Sequence, residues 1–307
     1  MQANTCQKYS CILAKSFKKY YRKVQKFFFR EQWSLLITDF DAKILRQIKP
    51  PKDRIWADPF PVAYNGLTYI FIEQQIIGEN GTLGYIVLAD DLSHSDFHPI
   101  LAKDHHLSYP NVFKTTENGN DVWWMVPESN ENNRISLYRA IQFPDLWELE
   151  RDLMTDICAV DTTLFNHAGK WWLFTSCMTK TTDLNASLFV FYSDSLGSGN
   201  WTPHLRNPVV VNRDNARMAG RIFTDINGAI MRPAQSCLRE YGHKIMLNEI
   251  GILTEDDYRE RTVEVILPEK KYRAVCTHTY NICGKYIVRD IKTRVFSPFH
   301  RFADRRH

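Results

Sequence analysis

Five segments of the chain repeat one pattern of polar and apolar positions. Each opens on a polar residue, continues as an apolar stretch that often ends in Phe, turns, and returns as a second apolar stretch. The segments cover residues 58–74, 109–129, 160–176, 219–235 and 278–290. Their starts lie roughly 50–60 residues apart, which is enough chain for one four-stranded sheet in each repeat.

The turn inside each repeat carries residues that tolerate the positive φ of a tight hairpin. The turns are Asn65-Gly66, Asn118-Gly119, Ala168-Gly169, Asn227-Gly228 and Cys283-Gly284. The stretches after the turns are rich in Trp, Phe, Ile, Tyr and Val, as strands are. Further apolar runs between the repeats begin at residues 84, 135, 187 and 244 and are expected to form outer strands.

These repeats predict an all-β fold, namely a five-bladed β-propeller. A β-sandwich is the alternative, but it does not explain the regular period. Helical periodicity occurs only before residue 30 and over residues 255–262. We therefore expect two parts, a basic amphipathic N-terminal segment with a short helix over residues 1–32 and the propeller over residues 33–307.

The N-terminal segment mixes cations with aromatic rings. Residues 15–30 read KSFKKYYRKVQKFFFR, without an acidic residue. Such a segment suits an anionic membrane surface, with rings in the interface and cations on headgroups. The alternative is a solvated basic helix packed on the domain.

The composition predicts the cellular location of the protein and gives no support for a nucleic-acid partner. The chain has 307 residues, is 44% hydrophobic and carries a net charge of +4, which gives no argument for nucleic acid. Its seven cysteines are scattered without a CxxC pair, so we expect reduced thiols and a cytoplasmic protein, peripheral at the inner face of the membrane. No apolar run has the length of a membrane span.

In a propeller the innermost strands all run the same way, so equivalent positions of distant repeats gather at one mouth. The start of each inner strand also lies beside the end of its hairpin partner. The candidate catalytic residues at this mouth are Asp58, Asp161 and Glu128. The candidate substrate-binding residues are Glu73, Asn111, Arg217, Arg221, Arg232, Gln235 and His278.

These residue types indicate glycan chemistry. Buried carboxylates are costly unless paired or working, and a pair in a cleft can divide into an acid and a base. Arginines suit an oxyanion such as phosphate, so the expected ligand is a sugar or sugar phosphate. Turn caps, rim ion pairs and braces between blades are the structural alternatives for these positions. No nucleotide-binding, nucleophile-elbow or metal-binding motif is found, so we expect neither cofactor nor metal. The pairs Trp123-Trp124 and Trp171-Trp172 are expected to be core.

The motifs WADPF, PES, VDTTLF, AGRIF, RPAQ and HTYN, in this order, resemble the N-terminal domain of plant glucosamine inositolphosphorylceramide transferases. The resemblance covers about residues 33–293. A more distant similarity to five-bladed propeller furanosidases implies that Asp58 is a general base and that Asp161 tunes its pKa. The general-acid Glu motif of those enzymes has no counterpart here.

We therefore predict a glycosyltransferase that uses a phosphate-bearing sugar donor in surface polysaccharide or glycolipid synthesis. Two alternatives stay open. One is a glycoside hydrolase with Glu128 as its acid. The other is a non-catalytic module that binds a glycan or headgroup.

Overall fold

The computed structural model describes residues 28–197 and 199–297, and residues Trp33–Lys292 form one compact unit. Strands dominate these residues, as the Val-, Ile- and aromatic-rich runs predict. In chain order they are β1 (Phe29–Thr38), β2 (Ile44–Ile48), β3 (Arg54–Tyr64), β4 (Leu67–Ile76), β5 (Gly81–Leu88), β6 (His98–Leu101), β7 (Ser108–Glu117), β8 (Asn120–Glu128), β9 (Arg134–Gln142), β10 (Leu146–Thr155), β11 (Ala159–His167), β12 (Lys170–Cys177), β13 (Ser187–Ser193), β14 (Thr202–Pro203), β15 (Val210–Val211), β16 (Arg217–Met218), β17 (Phe223–Thr224), β18 (Ile230–Gln235), β19 (Ile245–Leu253), β20 (Tyr258–Ile266), β21 (Tyr280–Cys283) and β22 (Tyr286–Phe296).

The strands form five antiparallel sheets, which confirms the five-bladed β-propeller. The first four sheets follow the chain as β3-β4-β5-β6, β7-β8-β9-β10, β11-β12-β13-β14 and β16-β18-β19-β20, with β15 beside β13 and β17 beside β18. The fifth has the order β21-β22-β1-β2, so its two outer strands come from the start of the chain. The ring closes because β21 packs against β3 and Tyr280 N–H donates to Ala219 C=O at 2.7 Å.

One sequence expectation needs correction. Residues 255–262, expected to be helical, lie largely in β20, because this segment pairs with β19 as the outer strand of the fourth sheet. Residues 29–32, which belong to the predicted N-terminal segment, are the first residues of β1 in this structure. The rest of the basic segment lies outside the described residues.

Residues 29–197 and 199–297 contain two short 3₁₀ helices, at Asn130–Asn132 and Lys270–Tyr272. No helix in the described part of the chain is long and apolar enough to cross a membrane. The five cysteines that the structure describes are free thiols.

Three of the inner strands open with the same irregularity. The pairing register shifts at Ala57/Phe60 in β3, at Ser108/Asn111 in β7 and at Val160/Thr163 in β11. At each bulge one residue has a positive φ, which is 50° for Asp58, 46° for Tyr109 and 53° for Asp161. Such bulges re-aim side chains and release backbone groups from the sheet. Non-glycine residues keep this conformation only where surrounding contacts stabilise it.

Candidate functional site

The released backbone N–H groups of the three bulges each donate to a carboxylate. Asp58 N–H donates to Asp290 Oδ2 at 3.1 Å, and Tyr109 N–H donates to Asp58 Oδ2 at 3.2 Å. Asp161 N–H donates to Glu128 Oε2 at 3.3 Å. Each bond crosses from one blade to the next, so the bulges and the acids hold one another in place around the mouth.

His278 lies between two of these carboxylates. Its Nδ1 is 2.6 Å from Asp290 Oδ2, and its Nε2 is 3.7 Å from Asp58 Oδ1. The Asp290 carboxylate also accepts the backbone N–H groups of His278 and Thr279. The imidazole stacks on the Trp33 ring at 4.1 Å, which fixes its plane.

Burial and charge together set the protonation of this group. Burial lowers the pKa of His278, but the Asp290 and Asp58 carboxylates outweigh it and raise the pKa to about 9. Burial raises the pKa of Asp58, His278 opposes this, and Glu73 adds to it, so the value is about 7. Burial opposes the charge of Asp290 as well, but His278 and three N–H donors hold its pKa below the ordinary value. At neutral pH the imidazole is therefore a cation, Asp290 is ionised, and Asp58 is close to half-protonated.

A second buried cluster adjoins the first. Arg217 donates from Nε to Asp161 Oδ2 at 2.5 Å and from Nη2 to Asp161 Oδ1 at 3.3 Å. Gln235 Nε2 donates to Asp161 Oδ2 at 2.9 Å, and Glu128 Oε2 lies 3.5 Å from Arg217 Nη2. Two carboxyl groups thus share one guanidinium in a site that is almost closed to water.

Burial and its charged neighbours make Glu128 a weaker acid than an ordinary glutamic acid. Burial raises its pKa well above the ordinary value, the neighbouring Asp161 charge raises it further, and Arg217 only partly opposes them. For Arg217 itself burial is outweighed by Asp161, so its pKa stays well above the usual range. The charge of Asp58 also raises the pKa of Glu128, so the two carboxyl groups interact electrostatically. Glu128 therefore keeps its proton to a higher pH than an ordinary glutamic acid does, beside the Asp161–Arg217 pair.

Three of the predicted residues, Glu73, Asn111 and Gln235, line the inner strands or border the mouth. Glu73 lies opposite Ala57 in the β3–β4 pairing, with its carboxylate 3.3 Å from His106 Nε2. Asn111 is fully buried and donates to Thr162 C=O at 3.3 Å. The Asn111 Oδ1 and Gln235 Oε1 atoms are buried and accept no hydrogen bond from the described residues, so two acceptors remain unused.

Arg232 and Arg221 do not face the mouth as expected. Arg232 is fully buried and forms an ion pair with Glu260 at 2.6 Å, while its Nη2 also donates to Asn215 C=O at 2.8 Å. It ties the strands of the fourth blade together, because Glu260 lies on β20, at the outer edge of that sheet.

Arg221 lies deeper in the channel than the bulges. Its guanidinium donates to the C=O groups of Val112 and Pro61, and its N–H donates to Asn281 Oδ1 at 2.8 Å. It therefore joins the inner strands of three other blades. Burial without a carboxylate contact lowers its pKa to about 10.

Several residues of the mouth were missed from the sequence. Thr279 donates from Oγ1 to Asp58 Oδ1 at 2.7 Å. The Tyr241 ring lies 4.8 Å from the Arg217 guanidinium and meets His278 edge-on at 5.2 Å, yet the residue is 40% exposed. His106 accepts Gly81 N–H at Nδ1, and a Cβ on Gly81 would lie 2.8 Å from the His106 ring. Tyr241 and His106 stand in loops between repeats, where the repeat pattern gives no signal.

One group of side chains has the composition of a cation site. The ligand atoms of Asp58, His278 and Asp290 lie within 4.8 Å of one another. A metal bound there would have to displace the imidazole proton that the two carboxylates hold.

The fold is a five-bladed propeller similar in architecture to those of some glycoside hydrolases. An exo-1,5-α-L-arabinanase from a bovine ruminal metagenomic library aligns with a TM-score of 0.53 over 76% of this chain and 91% of its own, at 10% identity. A family 117 glycoside hydrolase from Zobellia galactanivorans aligns with a TM-score of 0.53 over 92% and 99%, at 13% identity. At such identity the likeness shows the fold alone.

Sequence comparison identifies the particular family. The model of the N-terminal domain of glucosamine inositolphosphorylceramide transferase 1 matches residues 46–281, and the chain belongs to this family. The rice enzyme of that name (Oryza sativa subsp. japonica) is 36% identical over 220 residues, which are 70% of this chain and 29% of the relative. The Arabidopsis thaliana enzyme is 35% identical over 211 residues, 66% and 26% of the two chains. The chain thus spans less than a third of these relatives.

Proposed function

We propose that the mouth of the propeller transfers a glycosyl group, with Asp58 as the base and Glu128 as the acid. The observation that carries the proposal is a pair of buried carboxyl groups at one mouth, both with raised pKa values. Asp58, with a pKa of about 7, can accept a proton from an acceptor hydroxyl. Glu128, whose pKa burial raises well above the ordinary value, can donate to the departing oxygen.

The other residues of the mouth support these two. The charges of Asp290 and His278 influence the pKa of Asp58. The charges of Arg217 and Asp161 influence the pKa of Glu128. The unused acceptors of Asn111 and Gln235 are available to sugar hydroxyls. Carboxyl groups and amides are the side chains that such hydroxyls need.

The substrate class follows from the family. The relatives are named as transferases of glucosamine and inositolphosphorylceramide, so we infer a sugar donor with a phosphate leaving group and a glycolipid acceptor. Arg217 and Arg232 are neutralised by carboxylates. Arg221 donates to carbonyl groups and lies away from the mouth, so we assign the donor phosphate to none of the three arginines.

A hydrolase is the second candidate, because a protonated Glu128 supplies the acid that glycoside hydrolysis needs. In that case water replaces the acceptor. A binding module is the third, because the chain matches only 29% of the length of the rice relative. The anionic membrane surface and the cytoplasmic location stay predictions.

One assay separates the three candidates. The purified chain is incubated with nucleotide-activated glucosamine and inositolphosphorylceramide in micelles, and separately with an aryl arabinofuranoside, and products are identified by mass spectrometry. Transfer predicts a glycosylated lipid, hydrolysis predicts free sugar, and a module binds without turnover. Asp58→Asn and Glu128→Gln are each expected to lower the rate by about 10²-fold or more. Asp121→Asn, in an exposed pair with Lys114, is the control. Equal rates in all variants would contradict the assigned roles.

A further inference from the structure

A second cavity lies between the second and third blades, at the end of the propeller away from the mouth. Its volume is about 500 Å³, within the range of small-molecule sites. Its walls include Thr115 to Glu117, which precede the hairpin turn of the second blade, and Trp171, which follows the turn of the third. The hairpin turns of β7–β8 and β11–β12 mark the end opposite to the bulges.

Two tryptophans from adjacent blades line this cavity. Trp124 lies on β8 and Trp171 lies on β12, and each belongs to one of the Trp pairs of the sequence. Because side chains alternate along a strand, their neighbours Trp123 and Trp172 point the other way, into a separate hydrophobic cluster. Trp123, Trp172 and Trp124 are core, as expected, since Trp124 is only 6% exposed, and Trp171 is half-buried against the cluster that contains Trp124. The exposed ring surface of the cavity is therefore mainly that of Trp171.

The rings are held in place by their surroundings. Trp124 Nε1 donates to Thr115 Oγ1 at 2.8 Å, and the Arg139 guanidinium lies 5.7 Å from the ring centre. Trp171 packs on Phe113 with 5.7 Å between ring centres and is half-buried. A ring fixed in this way contributes contact area without losing conformational freedom on binding.

The polar wall is nearly balanced in charge. It carries the carboxylates of Glu117, Glu150 and Asp194 and the guanidinium groups of Arg139 and Arg151. Arg151 lies 3.7 Å from Glu150, and Lys170 pairs with Asp194 at 2.6 Å. A charged ligand would therefore meet little unmatched charge. Hydroxyl groups would find both acceptors and donors.

We propose that this cavity binds a neutral oligosaccharide. A sugar offers an apolar C–H face to the half-buried Trp171 ring and hydroxyl edges to the carboxylates and guanidinium groups. The site is separate from the mouth, and the proposal does not rest on the function proposed for the mouth. It gives the chain a place to hold a glycan independently of any reaction.

The test is a titration of the full chain with four neutral hexaoses, namely cello-, xylo-, manno- and α-1,5-arabinohexaose, followed by NMR of the indole N–H signals. At least one hexaose is expected to shift the Trp171 signal. Trp171→Ala is expected to weaken its binding by about tenfold or more. Thr116→Tyr fills the cavity from an exposed strand position, keeps the core, and is expected to weaken binding as much.

Asp58→Asn distinguishes the two sites, since it changes the mouth alone and should leave this binding unchanged. The proposal is overturned if none of the four hexaoses shifts the Trp171 signal. It is equally overturned if Thr116→Tyr binds as well as the wild type, or if Asp58→Asn abolishes binding.

Discussion

Arg217 and Asp161, which lie 56 residues apart in the chain, form a two-point ion pair whose side chains are only 9% and 3% exposed. The pair joins the third blade to the fourth at the mouth. Removing one member of such a pair leaves an uncompensated buried charge. Arg217→Met is therefore expected to lower the free energy of unfolding by about 3–5 kcal/mol, measured by chemical denaturation.

The companion variants make this a double-mutant cycle. Asp161→Asn added to Arg217→Met is expected to recover part of the loss, because the stranded charge is gone. Lys114→Met breaks the exposed pair with Asp121 and should cost less than about 1 kcal/mol. Additive effects of Arg217→Met and Asp161→Asn would show that the two residues are not coupled.

The stability of the protein is expected to fall as the pH rises from about 6.5 to about 9. The folded protein holds the His278 proton up to a pKa of about 9, whereas the unfolded chain releases it near 6.5. The folded state therefore binds more protons in this window, and the stabilisation is complete below it and lost above it. For His278 alone the change is at most about 3 kcal/mol. Denaturation at several pH values measures it.

His278→Gln removes the titrating group and serves as the comparison. Its unfolding free energy should lose the His278 part of the pH dependence between 6.5 and 9, while Asp58 and Glu128, whose raised pKa values act in the same sense, keep a smaller slope. Asp290 acts in the opposite sense, because its pKa is lowered, and its contribution is lost only in acid. The same slope in His278→Gln and in the wild type would assign the effect to other groups.

Gly242→Ala is expected to displace His278. A Cβ at Gly242, where φ is +68°, would lie 2.6 Å from the His278 Cβ. Gly228, where φ is +84°, has no atom within 4 Å of an added Cβ and is the matched control. Both substitutions strain the backbone by about 1 kcal/mol. The Gly242 variant should lose clearly more stability and should shift the His278 ring signals in NMR. Equal losses in the two variants would mean that the loop yields without moving the imidazole.

Much of the architecture can be predicted from the sequence, because each repeat carries its own turn and its own pair of apolar strands. The mouth residues Asp58 and Asp161 follow from the equivalence of the repeats. The closure of the ring does not follow from the repeats, because the fifth blade takes β1 and β2 from the other end of the chain. No repeat precedes residue 58, so the pattern gave these strands no partner.

The pairing of the arginines also lies beyond the repeat pattern. Gln235 stands at the position equivalent to Glu128, whereas Arg232 lies three residues earlier and pairs with Glu260 on an outer strand of the blade. Such a partner depends on the register between β18, β19 and β20, which composition does not fix. Tyr241 is absent from the prediction for a similar reason, since a loop carries it over Arg217.

The central claim is that the mouth holds two carboxyl groups whose pKa values are both raised by burial. Carbon-13 NMR of labelled Asp and Glu carboxyl groups tests it most directly, with Asp58→Asn and Glu128→Gln identifying the two signals. The predicted result is an Asp58 carboxyl that titrates with a pKa of about 7 and a Glu128 carboxyl whose pKa lies well above that of an ordinary glutamic acid. If both signals report ionised groups throughout the range from pH 5 upward, the mouth contains no acid–base pair.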